Sequence, residues 1–179
     1  MANPRITWWT AVGLISLMTG IAGGATEPED ELKSATVLTF VRHSEWLQDS
    51  QSGPITVGVT GRPAMVSMLR RTLDGKTANN RAIRIVDVKK SGDLRACQVL
   101  YVASDNNNEI RETLASLGAS HALTIGEADR FLEYGGAVKL LIVDGHMSFE
   151  VNPAALDRAG VSISSKLLRY GQVKLRPPA

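Results

Sequence analysis

The sequence is poor in cysteine and histidine, the residues that build disulfide frameworks and most transition-metal sites. Among 179 residues, Cys97 is the only cysteine and there are three histidines, His43, His121 and His146. One cysteine excludes an intramolecular disulfide, and the histidines form no Cys/His cluster, so we expect neither a metal nor a cofactor. Cys97 stands in the apolar stretch ACQVLYVAS, which indicates a small buried residue.

An excess of charge of either sign is also lacking. Twenty lysines and arginines oppose eighteen aspartates and glutamates, which gives a formal net charge of +2. The chain therefore has no basic field for nucleic acid, which we exclude as a partner. The composition, 44% hydrophobic and 21% charged, is ordinary for a single globular domain that mixes helices and strands.

One long uncharged run is present, and it lies near the start of the chain. Arg5 is the only charge before Glu27, and the run ends in the small residues AGGA. This layout is typical of a secretory signal peptide, so we expect export to the periplasm and removal of residues 1–25. A retained membrane anchor over Ile6 to Ala25 is the alternative, because that stretch is about long enough to span a bilayer.

The rest of the chain alternates between strand and helix patterns. Residues 26–30, TEPED, are predicted to be a flexible, solubilising leader. The segments ITVGVTG, RAIRIVDV, QVLYVAS and HALTIGE are typical of strands, whereas RPAMVSMLRRTLDG, NNEIRETLASLGA, PAALDRAGV and SISSKLLRYGQVK are typical of helices. In AVKLLIVDGHMSFEVN the Asp-Gly pair predicts a tight hairpin. The order predicts an α/β fold, a three-layer sandwich with a mainly parallel sheet, a C-terminal edge hairpin and helices on both faces.

The stretch TVLTFVRHSEW, residues 36–46, is compatible with both a helix and a short strand. Its Arg42-His43 pair is similar to the nucleophile motif of histidine phosphatases. In that interpretation Arg95 and His146 would complete a cationic pocket around a phosphoryl group.

Three observations argue against a phosphatase. Ser44 replaces the glycine that lets the backbone turn tightly beside the nucleophile. Arg95 precedes a strand rather than a helix, and His146 adjoins a hairpin turn. Neither a glycine-rich phosphate loop nor a Gly-x-Ser-x-Gly elbow occurs in the sequence. We therefore expect no enzyme activity and a helix over residues 31–46 with an exposed His43.

The C-terminal third of the chain, residues 123–169, carries a resemblance to a known family. Its motifs are Phe131, Gly135-Gly136-Ala137-Val138, Phe149-Glu150-Val151-Asn152, Ala159-Gly160-Val161 and Ser164-Ser165-Lys166-Leu167-Leu168. With ELKSATVLTFVRHSEW and ACQVLYVAS upstream, they resemble the YfiR family of bacterial periplasmic proteins over residues 31–173. Residues 174–179 would be a tail. Leu47 departs from the family by replacing its usual proline.

The resemblance implies regulation. YfiR-like proteins repress an inner-membrane diguanylate cyclase by contacting its periplasmic sensor portion, and relief of this contact raises cyclic-di-GMP and favours biofilm growth. The resemblance also implies two further candidate partners, an outer-membrane lipoprotein of the same system and a second copy of the chain. A periplasmic small-ligand-binding sensor module is the alternative function, followed by a histidine phosphatase.

An outward patch is the candidate partner-binding surface. Aromatic residues and arginine dominate binding hot spots. On that basis the predicted patch contains Phe131, Tyr134, Glu150, Leu168 and Arg169. Core packing explains Phe131 and Leu168 equally well.

Six residues of the family motifs have predicted structural roles. Gly135 and Gly136 are expected to turn the chain into the next strand with positive φ. Phe149 alternates with Glu150 along a strand, so only one of the two can face the core. Helix-capping residues are Asn152, Ser164 and Ser165.

Overall fold

The computed structural model describes residues 27–47, 52–89 and 94–169. In chain order the elements are α1 (Glu27–Arg42), β1 (Ser44–Trp46), β2 (Ile55–Gly61), α2 (Pro63–Leu73), β3 (Thr77–Ala78), β4 (Arg81–Asp87), β5 (Val99–Ala103), α3 (Asn107–Leu117), β6 (Leu123–Gly126), β7 (Val138–Val143), β8 (His146–Val151), α4 (Pro153–Ala159), β9 (Val161–Ile163) and α5 (Ser165–Leu168). The predicted signal peptide, residues 1–25, and the tail, residues 174–179, lie outside the described residues. Within those residues, no helix has the length and apolar character needed to cross a bilayer.

Seven strands form the central sheet, in the order β3-β4-β2-β5-β6-β7-β8. The five strands from β4 to β7 run parallel, and β8 returns antiparallel to β7. The Asp144-Gly145 turn between β7 and β8 has φ values of 50° and 76°, as a tight hairpin requires. The predicted α/β fold with a C-terminal edge hairpin is confirmed.

The order of the sheet reverses between β2 and β5. From β2 the chain first adds β4 on one side and then β5 on the other. At such a point the connections that follow the two neighbouring strands lead away in opposite directions. A crevice forms between the carboxyl ends of these strands, and α/β proteins usually bind ligands there.

Helices and turns cover both faces of the sheet. The alternation along β5 shows this, because Val99, Tyr101 and Ala103 belong to one apolar cluster while Leu100 and Val102 belong to the other. The first cluster contains α1, α2 and α4, and the second contains α3 and the turns over residues 128–135. Cys97 is buried in the second cluster, as predicted.

The first helix differs from the prediction at both ends. It spans Glu27–Arg42 rather than residues 31–46, and residues 44–46 form β1. Trp46 explains the change at the end, because its side chain is buried and its indole Nε1 donates to the Gln98 carbonyl over 2.8 Å. β1 then pairs antiparallel with β9, a strand that lies in a segment predicted to be helical. Short strands of this kind have too few residues for a visible period.

The flexible leader is a second correction. Residues 27–30 are helical, and Asp30 is only 5% exposed. The neighbouring sequence offers no partner for the acidic run, and so it predicts a solvated leader. The partner, Arg62, comes from a distant part of the chain.

Of the six predicted structural residues, Phe149 faces the core in the first apolar cluster, and the other five fall into two groups. Gly135 has φ of 96°, Asn152 accepts from the Ala155 amide over 3.3 Å, and Ser164 accepts from the Lys166 amide over 3.3 Å, so these roles are confirmed. The other group is corrected: Gly136 does not have positive φ, and Ser165 is the first residue of α5 rather than its cap.

Candidate functional site

Five polar side chains meet at the carboxyl end of the parallel strands. We call them the carboxyl-edge cluster: Asp30, Lys33, Arg62, Tyr101 and Glu127. Three come from the sheet and its strand ends, and two come from the first turns of α1.

The strand ends explain why the sheet residues converge. Arg62 directly follows β2, Glu127 directly follows β6, and Tyr101 lies on β5 between those strands. Because the carboxyl ends of parallel strands lie along one edge, residues far apart in the sequence become neighbours. The Arg62 amide also donates to the Ala103 carbonyl over 2.9 Å, which fixes the backbone at the end of β2.

Glu127 is the centre of the cluster. Its Oε1 accepts hydrogen bonds from the Tyr101 hydroxyl at 2.5 Å and from Arg62 Nη2 at 2.9 Å. Its Oε2 accepts from Lys33 Nζ at 2.6 Å. Arg62 also reaches Asp30, with 3.2 Å between Nη1 and Oδ2. The two anions and two cations therefore balance.

The pKa values reflect burial and this pairing. Burial alone would raise the pKa of Glu127, but the hydrogen bonds from Lys33 and Tyr101 and the charges of Lys33 and Arg62 outweigh it and lower the pKa. For Tyr101, burial and the neighbouring Glu127 carboxylate both raise the pKa well above the usual tyrosine value. The pKa of Arg62 is raised, since its anionic neighbours outweigh the effect of burial. At neutral pH Glu127 is thus ionised and the Tyr101 phenol is protonated, and three ion pairs join the two carboxylates to Lys33 and Arg62.

The polar groups of the carboxyl-edge cluster bond to one another. Both oxygens of Glu127 already accept strong hydrogen bonds, and the Tyr101 hydroxyl donates to one of them. Lys33, with a side chain 9% exposed, has its ammonium on the same carboxylate. These ion pairs fix the start of α1 to the carboxyl ends of β2 and β6. Within the described residues, no group of three His, Cys, Asp or Glu side chains could hold a metal ion.

Comparison with known proteins adds the family. A family model described as YfiR/HmsC-like matches residues 30–172. The chain belongs to this family. The resemblance seen in the sequence is thereby confirmed, and membership of the YfiR/HmsC-like family supports a role in cyclic-di-GMP regulation.

A solved structure supports the fold of this YfiR/HmsC-like chain. It is a conserved domain protein from Vibrio cholerae O1 biovar El Tor, with a TM-score of 0.53 and 13% sequence identity. The match covers 80% of this chain and 59% of the Vibrio chain, so the present chain spans a little over half of that protein. At this identity the likeness shows the fold alone. No curated protein matches the chain.

In this YfiR/HmsC-like chain the four residues of the phosphatase interpretation, Arg42, His43, Arg95 and His146, do not converge on one pocket. His43 precedes β1, which Trp46 fastens to Gln98 at the amino end of β5. His146 follows the hairpin tip at the opposite end of the sheet, because β7 continues beyond the last residue of β6. Arg95 precedes β5 and is exposed. The predicted exposure of His43 is confirmed.

The predicted partner patch is not one surface. The outward placement of Phe131 is wrong, because this residue is fully buried with its ring between Gly126 and Gly136. Each glycine leaves space that a Cβ atom would fill, and the ring occupies the slot between them.

The other four patch residues lie on two faces. Glu150 alternates with residues that face α1, so it lies on the α3 face, where Tyr134 is partly buried against the second cluster. Leu168 packs against the first cluster, and Arg169 next to it is exposed. Contact of these residues with a partner stays a prediction.

Sequence reasoning missed the carboxyl-edge cluster. One signal could have indicated it: two predicted strands each end in a glycine followed at once by a charge, Gly61-Arg62 and Gly126-Glu127. Charges at the carboxyl ends of neighbouring parallel strands are expected to meet. The contribution of α1 carries no such signal.

Proposed function

We propose that this protein is an exported repressor of an inner-membrane diguanylate cyclase. It binds the periplasmic sensor portion of the cyclase and lowers cyclic-di-GMP in the cytoplasm. The observation that carries the proposal is the family match over residues 30–172. Export through a cleaved signal peptide over residues 1–25 and a periplasmic location are part of the proposal, and an outer-membrane lipoprotein and a second copy of the chain are further partners.

The geometry supports recognition in place of catalysis. At the strand ends, where an α/β enzyme would bind its substrate, the charges of Arg62 and Glu127 are already paired with each other and with side chains of α1. A repressor needs a surface that prefers the inactive cyclase over the active one. To shift the cyclase from 99:1 in favour of the active state to 99:1 in favour of the inactive state, the repressor must bind the inactive state more tightly by about 5.5 kcal/mol. A protein interface can supply a difference of this size.

Deletion of the gene tests the proposal in the cell. We expect cyclic-di-GMP, measured by mass spectrometry, to rise on deletion and to return to the wild-type level when the full chain is restored. A chain that begins at residue 26 should remain in the cytoplasm and fail to restore it. His43→Ala should restore it fully, since no catalytic role is assigned to His43. An unchanged level on deletion, in cells that carry the intact cyclase, would contradict the proposal and favour a ligand sensor without a cyclase partner.

Direct binding gives a second test. The protein purified after export would be titrated with the purified periplasmic portion of a membrane diguanylate cyclase from the same genome. If Arg169 belongs to the interface, Arg169→Ala should weaken binding by about tenfold, or 1.4 kcal/mol. Arg84→Ala is the matched control, because Arg84 is also exposed but lies on β4. Absence of any complex with the cyclases of that genome would refute a direct repressor.

A further inference from the structure

A pocket of about 260 Å³ lies between α3, the turn before β7, and α4. None of its lining residues belongs to the carboxyl-edge cluster. Two arginines, Arg111 and Arg158, line it together with three hydroxyl side chains, Ser120, Thr124 and Tyr134, and no acidic residue does. The pocket is therefore cationic and rich in hydrogen-bond donors.

Two of these hydroxyls have no partner. The Oη of Tyr134 and the Oγ of Ser120 are buried and make no hydrogen bond, and within the described residues only two other buried side-chain oxygens share this condition. Folded proteins pair nearly all their buried polar groups, so an unpaired hydroxyl calls for an explanation. Two of them in one pocket lined by arginine are explained if both hydroxyls bond to a ligand.

The position of the Tyr134 ring is held by arginines. The guanidinium carbons of Arg111 and Arg130 each lie 5.0 Å from the ring centroid. Arg130 is neutralised by Glu133, with 2.8 Å between Nε and Oε2. Among the ion pairs of the described residues, none includes Arg111 or Arg158. The two arginines that line the pocket thus keep their charge available.

We propose that this pocket binds a small organic anion. Its phosphate or carboxylate group lies between Arg111 and Arg158, and a shift of the Tyr134 and Ser120 side chains on binding lets both buried hydroxyls donate hydrogen bonds to it. Guanidinium groups suit both anions, because their planar array of N–H donors matches the oxygens in pairs. The apolar part of the ligand contacts Leu114 and Ala155.

The size of the pocket restricts the ligand. A volume of 260 Å³ is just below the range of sites that hold drug-sized molecules and equals roughly nine water molecules of liquid volume. A small phosphorylated or carboxylated metabolite fits this space, whereas a peptide does not. The proposal concerns binding by the protein alone, so it stands or fails independently of a cyclase partner.

Thermal unfolding with two probes tests the site. Protein produced from the full chain and purified after export would be titrated with inorganic phosphate and with succinate, against sodium chloride at matched ionic strength. We expect at least one probe to raise Tm in proportion to ln(1 + c/Kd), where c is the probe concentration, by about 4 °C at ten times its Kd. Arg158→Gln and Tyr134→Phe should weaken that binding at least tenfold. Tyr134→Phe keeps the ring and its arginine contacts, so it removes only the hydroxyl.

Arg84→Gln is the charge-matched control and should bind as the wild type does, since Arg84 lies on β4 outside the pocket. The Tm of each variant without probe shows that it is folded. An equal rise in Tm for all variants would identify a general salt effect and overturn the site. So would the lack of any rise in Tm beyond that in sodium chloride for either probe up to about 10 mM, roughly tenfold above a millimolar Kd.

Discussion

Three side chains of the carboxyl-edge cluster depend on one residue, because Lys33, Arg62 and Tyr101 all bond to the carboxylate of Glu127. Glu127→Gln keeps the shape but leaves the buried Lys33 ammonium without its anion. Removal of one partner from a buried ion pair costs about 3–5 kcal/mol, so we expect urea denaturation to show a loss of about 3 kcal/mol. Glu112→Gln, on the exposed face of α3, should change stability by less than about 0.5 kcal/mol. Equal effects of the two changes would show that the ion pairs of Glu127 contribute nothing to the free energy of unfolding.

The same carboxylate predicts how stability depends on pH. The pKa of Glu127 is lowered in the folded protein from its ordinary value of 4.5. A group of this kind stabilises the fold fully above its unfolded pKa, and the contribution is lost as pH falls through the folded pKa. The difference in unfolding free energy between wild type and Glu127→Gln should therefore be constant near neutral pH and shrink below about pH 4.5. A difference that stays constant down to roughly pH 3 would contradict the lowered pKa.

Replacement of either of two adjacent glycines by alanine should destabilise the fold, and the physical reason differs between the two positions. At Gly136 a Cβ would overlap the ring of Phe131, whereas Gly135 has φ of 96° and a Cβ there would meet only the Arg158 side chain, at an ordinary contact distance of 3.7 Å. Overpacking of this kind costs about 1–3 kcal/mol. In a double-mutant cycle, Phe131→Leu should recover part of the loss caused by Gly136→Ala and none of that caused by Gly135→Ala. Recovery at both positions would mean that backbone strain is not the cause at Gly135.

Elements that were predicted correctly have a clear period or a strong turn signal. The strand β2 alternates over ITVGVTG, and the Asp144-Gly145 pair places the hairpin. The elements missed have neither: β1 and β9 are three residues each, and they exist because they pair with each other and because Trp46 is buried. The start of α1 has no local signal for a related reason, since the partner of Asp30 is 32 residues away.

The helix caps give a prediction at the level of the element. Asn152 caps α4 through one amide and also donates from Nδ2 to the Leu132 carbonyl over 3.3 Å, whereas Asn106 only caps, accepting from the Asn108 and Glu109 amides at the exposed start of α3. Loss of a cap costs about 1 kcal/mol. We expect Asn106→Ala to lose about that much in urea denaturation and Asn152→Ala to lose about 1 kcal/mol more, because a carbonyl also loses its donor. Equal losses would show that the bond to Leu132 adds no stability.

For the whole molecule, the sequence predicted the layers and missed the site. Layers follow from local patterns, because alternation along β5 is enough to assign its side chains to two faces. The carboxyl-edge cluster depends on five residues between positions 30 and 127, and each is unremarkable in its own segment. The predicted patch is wrong for a different reason. Phe131 is an aromatic residue of the kind found in binding hot spots, but only the fold shows that its ring is buried between two glycines.

The two apolar clusters predict an uneven distribution of stability across the molecule. In α1, Val37, Phe40 and Val41 are fully buried and the helix packs on α2, whereas in α3 only Ile110 and Leu117 are buried. Regions with few buried apolar contacts open locally at lower free energy than the core. In native-state hydrogen exchange, amide protection factors in α3 should be at least about tenfold lower than those in the second half of α1, a difference of 1.4 kcal/mol. The amides of β5, buried on both faces, report global unfolding. Equal protection in α1, α3 and β5 would mean that the domain opens only as one unit.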